Sequence, residues 1–556
     1  MTTLQSPLQR LQHLIKLEHE DISTLITYGV GIGLMSLATP VAVQALVNTI
    51  AFGALFQPLL VLTLVLLVLV AFSNTLAALQ FYVVEMLQRR LFVRLFGESV
   101  LRMQQARIAI RDVHYLPELA NRFLDVVTLQ KTAAVMLLET LGYVLQTVIG
   151  MALLAFYHPM LLAFDLFLIV ILALILFVMG KNGVTTAIDQ SKAKYAAQAW
   201  LENIAANPVL GRSASGSAFL SSQTERIADN YLEACARHFR ILARQNIGAL
   251  ALHALANTLL LGMGGWMVIE RQLSLGQLIA AELVVSAMIY GLTRLGKTLD
   301  NFYELLTSVD KIGHLLDIPQ EGSQGATPLN EDRPYQLDVY GVSLPESPQL
   351  DAVRGVDLHL APGGKLALSG GASRGSLLDM LYGLRAPSAG YVCLDNHDLR
   401  DLNLGVLRDS VSLVRDAEQI EASILDNLRL GRELALQALQ QVLAQVGLQD
   451  IIAALPHGLN SRLSVHGAPL TAEQSLRLTL ARAMAGRPRL LLLDGVLDRI
   501  DQRILPTLLD TLLAADAPWT LIVSSHHPEV IARCHRHGRI EHGKWLEITA
   551  PGEGES

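Results

Sequence analysis

The sequence predicts a multi-domain chain: a six-helix, all-α transmembrane domain over 1–316, a linker over 317–334 and an α/β domain of the phosphate-loop type over 335–556. Three observations carry this. From Ile22 to Val84 there is no Asp, Glu, Lys or Arg, and further long apolar runs follow. Beyond residue 334 the pattern changes to short apolar runs alternating with helical stretches, which marks a soluble α/β domain. Within that second part, the apolar run Leu366-Ala367-Leu368 ends in a turn bracketed by Gly370 and Gly375, and an apolar helical pattern follows. This is the layout of G-x-x-x-x-G-K-[ST].

Composition agrees. Of 556 residues, 51% are hydrophobic and 17% charged, a balance suited to a membrane protein with a soluble portion, and the length exceeds a single core. A net charge of −7 gives no support to nucleic-acid binding. Cys235, Cys393 and Cys534 lie far apart without metal-ligand spacing, and read as reduced thiols on the cytosolic side. Met1–Glu20 is polar and of mixed charge, unlike a cleavable secretion signal.

A spanning helix needs roughly 20 apolar residues, so the uncharged run holds two, separated by a break near Asn48–Pro58. Further spans are expected at about Ala133–Phe156, Met160–Gly180, Ile247–Ile269 and Gly276–Leu292. Arginines and lysines concentrate between spans two and three and between spans four and five, so both segments and both termini are expected in the cytoplasm. The two segments contain few helix breakers and read as helical extensions of the spans. Pro40 predicts a kink in the first span, because a proline inside a helix removes a backbone hydrogen bond. Glu85 lies close to Arg89 and Arg90 and reads as interfacial. Glu139, Asp165 and Glu282 fall in or near spans, where ionisable groups are costly; they either line a pathway or pair within the bundle.

In the second part, Asp317–Pro334 is a linker by its Gly, Pro and acid content, and strands are expected at Leu337–Val339, Lys365–Ser369, Val411–Val414, Leu490–Asp494 and Thr520–Ser524. The loop Gly370, Gly371, Ala372, Ser373, Arg374, Gly375, Ser376, Leu377 has Ser376 where its motif calls for Lys and Leu377 where it calls for a hydroxyl. Downstream come Leu470-Thr471-Ala472-Glu473-Gln474, then Leu490–Leu493 ending in Asp494, then Asp501, then Ser525-His526.

In order and spacing these motifs resemble the nucleotide-binding domain of an ATP-binding cassette (ABC) exporter, and the six spans resemble that family's transmembrane domain. The resemblance covers nearly the whole chain and implies roles position by position. Gly370–Leu377 would be the phosphate loop, which wraps backbone N–H groups around a phosphate at a helix N-terminus. Without the lysine it lacks the point charge on the β- and γ-phosphates, and Leu377 cannot ligate Mg²⁺. Asp494 would be the metal-facing aspartate, a contact through water at best. Gly495 stands where the family has its catalytic glutamate and cannot act as a base. Arg415 replaces the glutamine that bridges metal and membrane domain, and Leu344 aligns with the aromatic residue that stacks on adenine. Leu470–Gln474 aligns with the family signature; Thr471 keeps a hydroxyl, while Glu473 brings a carboxylate toward a partner's γ-phosphate. His526 would be the switch histidine and Asp501 the aspartate of the loop after Asp494.

In the family each ATP lies between one subunit's loop and the other's signature. The resemblance therefore implies an exporter subunit that is catalytically impaired, with ATP and Mg²⁺ in doubt at its own site, and that pairs as a dimer, preferably with an intact half. The alternative is a membrane scaffold or regulatory subunit that keeps the fold and no longer depends on ATP. A third reading, an ATPase working alone with Arg374 or Arg415 as replacement cation, has no residue to replace the glutamate. The implied location is a bacterial inner membrane, with the lipid bilayer as partner and no nucleic acid. Apolar spans with few charges admit lipids, amphipathic peptides or hydrophobic small molecules alike, and the resemblance leans slightly toward bacterial peptide or protein exporters.

Overall fold

The computed structural model describes the chain except for residues 1–5, 52–55, 113–115, 323–324, 327–332, 347–350, 372 and 549–556. Part of the expected break between spans one and two, part of the linker, and Ala372 therefore lie outside the described residues. Two compact units result: Met1–Ala106 with His114–Ile318, and Arg107–Val113 with Pro319–Ser556.

The first unit is helical: α1 (Pro7–Leu17), α2 (His19–Ser36), α3 (Ala38–Ala51), α4 (Phe56–Gln104), α5 (Leu116–Asn121), α6 (Asp125–Val135), α7 (Leu141–Tyr157), α8 (Pro159–Ala173), α9 (Gly183–Ala206), α10 (Ala214–Ile269), α11 (Leu275–Thr293) and α12 (Leu295–Leu316). The expected helical extensions are present: α4 runs 49 residues and α10 runs 56, far beyond a bilayer's needs. Along α10, Ala234, His238, Ile241, Gln245, Ala249, Leu252, Ala256, Leu260, Gly264 and Met267 are buried. Their three- and four-residue spacing is one helical stripe, so α10 packs along a single seam. Its opposite side, like most of α4, leaves large apolar side chains such as Val61, Leu64 and Leu261 exposed. Lipid contact accounts for such a surface.

Five described helical stretches are long and apolar enough to cross a membrane: His19–Thr49, Leu59–Gln104, Glu118–Tyr157, Pro159–Met179 and Ala214–Ile269. The sixth expected span falls in α11, whose apolar stretch Leu275–Met288 is shorter. The interruption expected from Pro40 lies at Leu37, between α2 and α3. Pro40 has no N–H, and its ring crowds the carbonyl four residues back, at Ser36. Glu85 accepts a 2.9 Å bond from Arg89 Nε, in keeping with an interfacial position.

The second unit contains two sheets. Strands β1 (Leu337–Leu344), β2 (Val353–Leu360), β4 (Ala389–Leu394) and β5 (His397–Asp398) form one, in the order β2-β1-β4-β5. The other contains β3 (Lys365–Gly370), β6 (Val411–Val414), β7 (Leu490–Asp494), β8 (Thr520–Ser524), β9 (Arg536–Glu541) and β10 (Lys544–Ile548), in the order β10-β9-β3-β8-β7-β6. Its β6–β7, β7–β8, β8–β3 and β3–β9 pairs are parallel. The five expected strands all occur. Those that were not foreseen are β2, whose buried residues interleave with exposed ones, together with β4, the two-residue β5, β9 and the edge strand β10. Helices α13 (Ser373–Leu381), α14 (Leu404–Leu407), α15 (Ile424–Arg429), α16 (Leu436–Gln445), α17 (Gln449–Ala453), α18 (Ala472–Ala485), α19 (Leu505–Leu512) and α20 (Pro528–Arg533) complete the unit.

Strand β3 is buried on both faces, as a central parallel strand should be, and leads straight into the glycine turn. Its first residue is unusual. Lys365 is 1% exposed, and its ammonium donates to the Trp519 carbonyl at 2.8 Å. Burial lowers the lysine to about 8, while burial raises the Cys534 thiol to about 11. Between about 8 and the ordinary lysine value, the folded chain binds fewer protons than the unfolded chain, so stability climbs with pH. The thiol works the other way: its contribution falls as pH passes from the ordinary thiol range toward 11. Lysine therefore dominates between about pH 8 and 9. Thermal or denaturant unfolding of the detergent-solubilised chain should show the soluble unit gaining about 1 kcal/mol across that window. Lys365→Met should flatten the gain.

Candidate nucleotide site

Gly370 ends β3 with φ at +115°, and a Cβ there would lie 2.2 Å from the Ile540 carbonyl oxygen. Only glycine fits this approach to β9. The helix after the turn begins early: Ser373, Arg374 and Gly375 already belong to α13. A phosphate cradle needs loop residues whose N–H groups converge on an anion, and here Ser373 and Arg374, two of the four residues between the glycines, are already helical. Arg374 Nε donates to the Gly371 carbonyl at 3.1 Å, so its guanidinium is folded onto its own turn. Ser376, at the lysine position, is buried and donates to the Asp351 carbonyl at 3.3 Å. Leu377 is 1% exposed and packs in the hydrophobic core between β3 and the β1–β2 sheet.

Asp494 ends β7, one strand beyond β8 from the glycine turn. Its Oδ2 accepts a 2.6 Å bond from Arg415 Nε. The same guanidinium donates through Nη2 to Asp379 Oδ1 at 2.9 Å and to the Gly375 carbonyl at 3.2 Å. Burial opposes the arginine's charge, but Asp379 and Asp494 outweigh it and hold the guanidinium protonated. Asp379 was not foreseen. It lies in the apolar stretch of α13 and is buried. A second arginine also serves it: Arg385 Nε donates to Asp379 Oδ2 at 3.0 Å, and the same guanidinium reaches Asp112 at 2.7 and 2.9 Å. An acid inside an otherwise apolar helical run was the signal that could have found it.

Gly495 follows Asp494 with φ at +66°, and a Cβ there would meet nothing within 4 Å. Space for a side chain exists, but the backbone is left-handed. Nearby, Asp498 accepts from Ser525 Oγ and, at 3.1 Å, from the His526 backbone N–H. This fixes the end of β8 and leaves the His526 side chain exposed on the wall of an open cavity of 1030 Å³. Gly370, Gly371 and Ser373 line the same cavity, together with Glu346. Leu344 does not. It pairs with Val353 within the β1–β2 register and packs against the core. A strand alternates its side chains, and Leu344 falls on the inward face.

The expected signature opens α18. Thr471 is its N-cap: the hydroxyl accepts from the Gln474 N–H at 3.2 Å, and the Gln474 side chain accepts from the Thr471 N–H at 3.0 Å. Leu470 is buried and Ala472 is the first helical residue. Glu473 also differs from expectation. Its carboxylate accepts a 2.8 Å bond from buried Arg477 and a 3.4 Å bond from the Asp501 N–H, so its charge is met within the chain. One turn of helix separates Glu473 from Arg477, the spacing at which such pairs form. Asp501 is held by Arg503, whose hydrogen bonds bring its carboxyl down to about 2.

Of the acids in the spans, Asp165 is 1% exposed, and neither carboxylate oxygen has a hydrogen-bond partner among the described residues. Glu282 Oε2 is likewise buried and unpartnered. Glu139 sits in a π-helical turn, Met136–Thr140, and is half-buried.

A membrane-spanning helical unit joined to a phosphate-loop α/β unit, with a glycine turn, a strand-end aspartate and a capped signature helix, defines an ATP-binding cassette transporter half. The family profile for the ABC transporter transmembrane region matches residues 23–292, and that for the ABC transporter matches 353–497. The chain is 23% identical over 546 residues to the alpha-hemolysin translocation ATP-binding protein HlyB of Escherichia coli, covering 96% of this chain and 76% of that protein. It is also 23% identical over 558 residues to the leukotoxin export ATP-binding protein LtxB of Aggregatibacter actinomycetemcomitans, covering 97% and 78%. A solved bacterial Atm1-family ABC exporter with ATP bound shares the fold with a TM-score of 0.82, at 18% identity over 96% of each chain. The chain belongs to the ABC transporter family as an exporter-type half-transporter and an integral membrane protein.

ATP and Mg²⁺ go with this domain type in general. The residues present here do not fit a metal–nucleotide centre of that type. Asp494, the one carboxylate offered at the strand end, is engaged by Arg415, and Leu377 has no oxygen to give. With Asp494 held by Arg415, a carboxylate placed at Gly495 is expected to gain no metal to act with. Gly495→Glu should produce no ATP hydrolysis above background in a phosphate-release assay on the purified chain. It should also destabilise the soluble unit by about 1–2 kcal/mol through its left-handed backbone.

Proposed function

We propose that this chain is the hydrolytically silent half of an ABC-type exporter and that it pairs with a competent ABC half to move a substrate outward across a bacterial inner membrane. On this reading α11 supplies the sixth span, both termini face the cytoplasm, and 335–556 is the nucleotide-binding domain. The observation that supports it most directly is the pairing of Asp494 with Arg415 beside Gly495: the carboxylate that would face a metal is neutralised, and no base stands next to it. Ser376 and Leu377, both turned inward, agree.

The signature side supports pairing. Thr471 uses a lone pair to cap α18 and keeps its O–H hydrogen free to donate, while Arg477 meets the charge of Glu473. A partner's bound nucleotide would thus face a helix N-terminus with its nearest carboxylate compensated. This removes the like-charge repulsion that the bare sequence suggests. HlyB and LtxB carry toxin translocation or export in their names, and the chain is similar to both over nearly its full length. A peptide or protein substrate is therefore the first class to test.

Purification of the intact membrane complex should recover a second ABC half, and the complex should hydrolyse ATP at a rate that this chain alone does not approach. Hydrolysis by this chain alone, abolished by Arg374→Ala or Arg415→Ala, would overturn the proposal. Recovery of the chain without any ABC partner would favour a scaffold instead.

A further inference from the structure

Three oxygens converge on the Arg415 guanidinium: Asp494 Oδ2 at 2.6 Å, Asp379 Oδ1 at 2.9 Å and the Gly375 carbonyl at 3.2 Å. They come from two elements: the end of β7 and, on α13, its middle and its first turn. An all-oxygen set with two carboxylates is what a hard divalent cation would seek. In this chain it is filled by a side chain on the segment that follows β6. The geometry points to Arg415 as the resident cation of the site: a covalently tethered charge that takes the place of a metal ion, joins the glycine turn to β7, and makes the soluble unit indifferent to divalent metal.

The surroundings hold the guanidinium in place. Arg499 Nη1 donates to the Arg415 carbonyl at 3.1 Å and to Asp416 Oδ1 at 2.8 Å, so the backbone carrying the arginine is tied to the loop after β7. Arg385 takes the other oxygen of Asp379 at 3.0 Å, which leaves Oδ1 directed at Arg415. The planar fork suits this task better than a lysine or a hydrated ion would. It reaches oxygens on different elements at once, carries a fixed charge, and needs no metal supply. Removing it leaves two carboxylates facing one vacated position, one of them buried, and like charges at that range repel.

The inference rests on the reading of a silent site, but its test is separate. The full chain is purified in detergent as wild type, R415Q, R415K and R415Q/D494N, and melted with EDTA or with excess Mn²⁺ or Mg²⁺. Wild type and R415K should each melt at the same temperature in EDTA and in either metal, with R415K somewhat below wild type. R415Q should melt roughly 2–4 °C lower in EDTA and recover with either metal. R415Q/D494N should show no recovery. An R415Q chain that melts as wild type does, or falls without metal rescue, overturns the inference. Mn²⁺ titration of wild type, followed by electron paramagnetic resonance, decides the matter independently of how R415Q folds. Mn²⁺ binding that D494N abolishes would mean that the position was open to metal all along, and the inference would fail. ATP hydrolysis by the chain alone would instead remove the silent-half reading, while the melting results still decide the role of Arg415.

Discussion

The soluble unit is organised around a charge that must be compensated. Asp379 sits in the apolar stretch of α13, against the core that Leu377, Leu378, Met380 and Leu381 fill. A lone carboxylate there would be prohibitive, and breaking a buried pair typically costs about 3–5 kcal/mol. Two arginines divide the task. Arg385 takes one oxygen and carries the contact on to Asp112; Arg415 takes the other and carries it to Asp494. The result is an alternating row of three acids and two arginines, each inner member bonded on both sides. Such a row is worth more for the geometry it dictates than for net stability, since desolvation consumes much of the Coulombic gain. What it dictates is the position of the glycine turn relative to β7.

The turn itself follows from the same constraint. With Arg415 bonded to the Gly375 carbonyl, the first turn of α13 is held from outside the helix, and Ser373 continues that helix instead of opening a loop. Gly370 remains indispensable for another reason, the close approach to Ile540. One glycine of the motif thus persists through packing and the other borders an ion pair. Neither need owe its presence to phosphate. The signature end is different: its capping box, its Arg477 clamp and its link to Asp501 are all met locally and leave the N-terminus of α18 facing outward.

Much of this was legible in the sequence, unevenly. Apolar length and charge-free runs located five of the expected spans among the described residues, because a bilayer imposes a length that composition must satisfy, while the sixth falls in a shorter apolar stretch. Strands buried on both faces, such as β3 and β7, announced themselves as continuous apolar runs, whereas β2 alternates and β9 carries Arg536, His537 and Arg539. The replaced positions Ser376, Leu377, Arg415, Glu473 and Gly495 could be identified through the family resemblance, but what they touch could not. Glu473 looked repulsive until Arg477 was found beside it, and Arg415 looked like a lost glutamine until it was found on Asp494. Asp379 escaped notice altogether, since a lone acid in a helix is ordinarily a solvated one. Contacts between residues distant in sequence decide such cases, and spacing along the chain carries no record of them.

The two ends of the soluble unit therefore point to different obligations. In a paired transporter each nucleotide lies between one subunit's loop and the other's signature. A chain that fills its loop-side cation position with its own arginine gives up the site it would own. A chain that caps α18 and neutralises Glu473 keeps a surface fit for a site owned by another. Random decay would be expected to erode both ends alike, because both serve the same reaction. Here the loop side is densely bonded, with Arg415 making three bonds and Asp379 receiving two arginines, while the signature side is capped. Loss of function leaves buried charges unpaired; here the carboxylates of Asp494 and Asp379 are both paired, although the glycine turn still borders an open cavity. The proposal of an asymmetric pair, with the chemistry carried by a partner, rests on that contrast between the two ends.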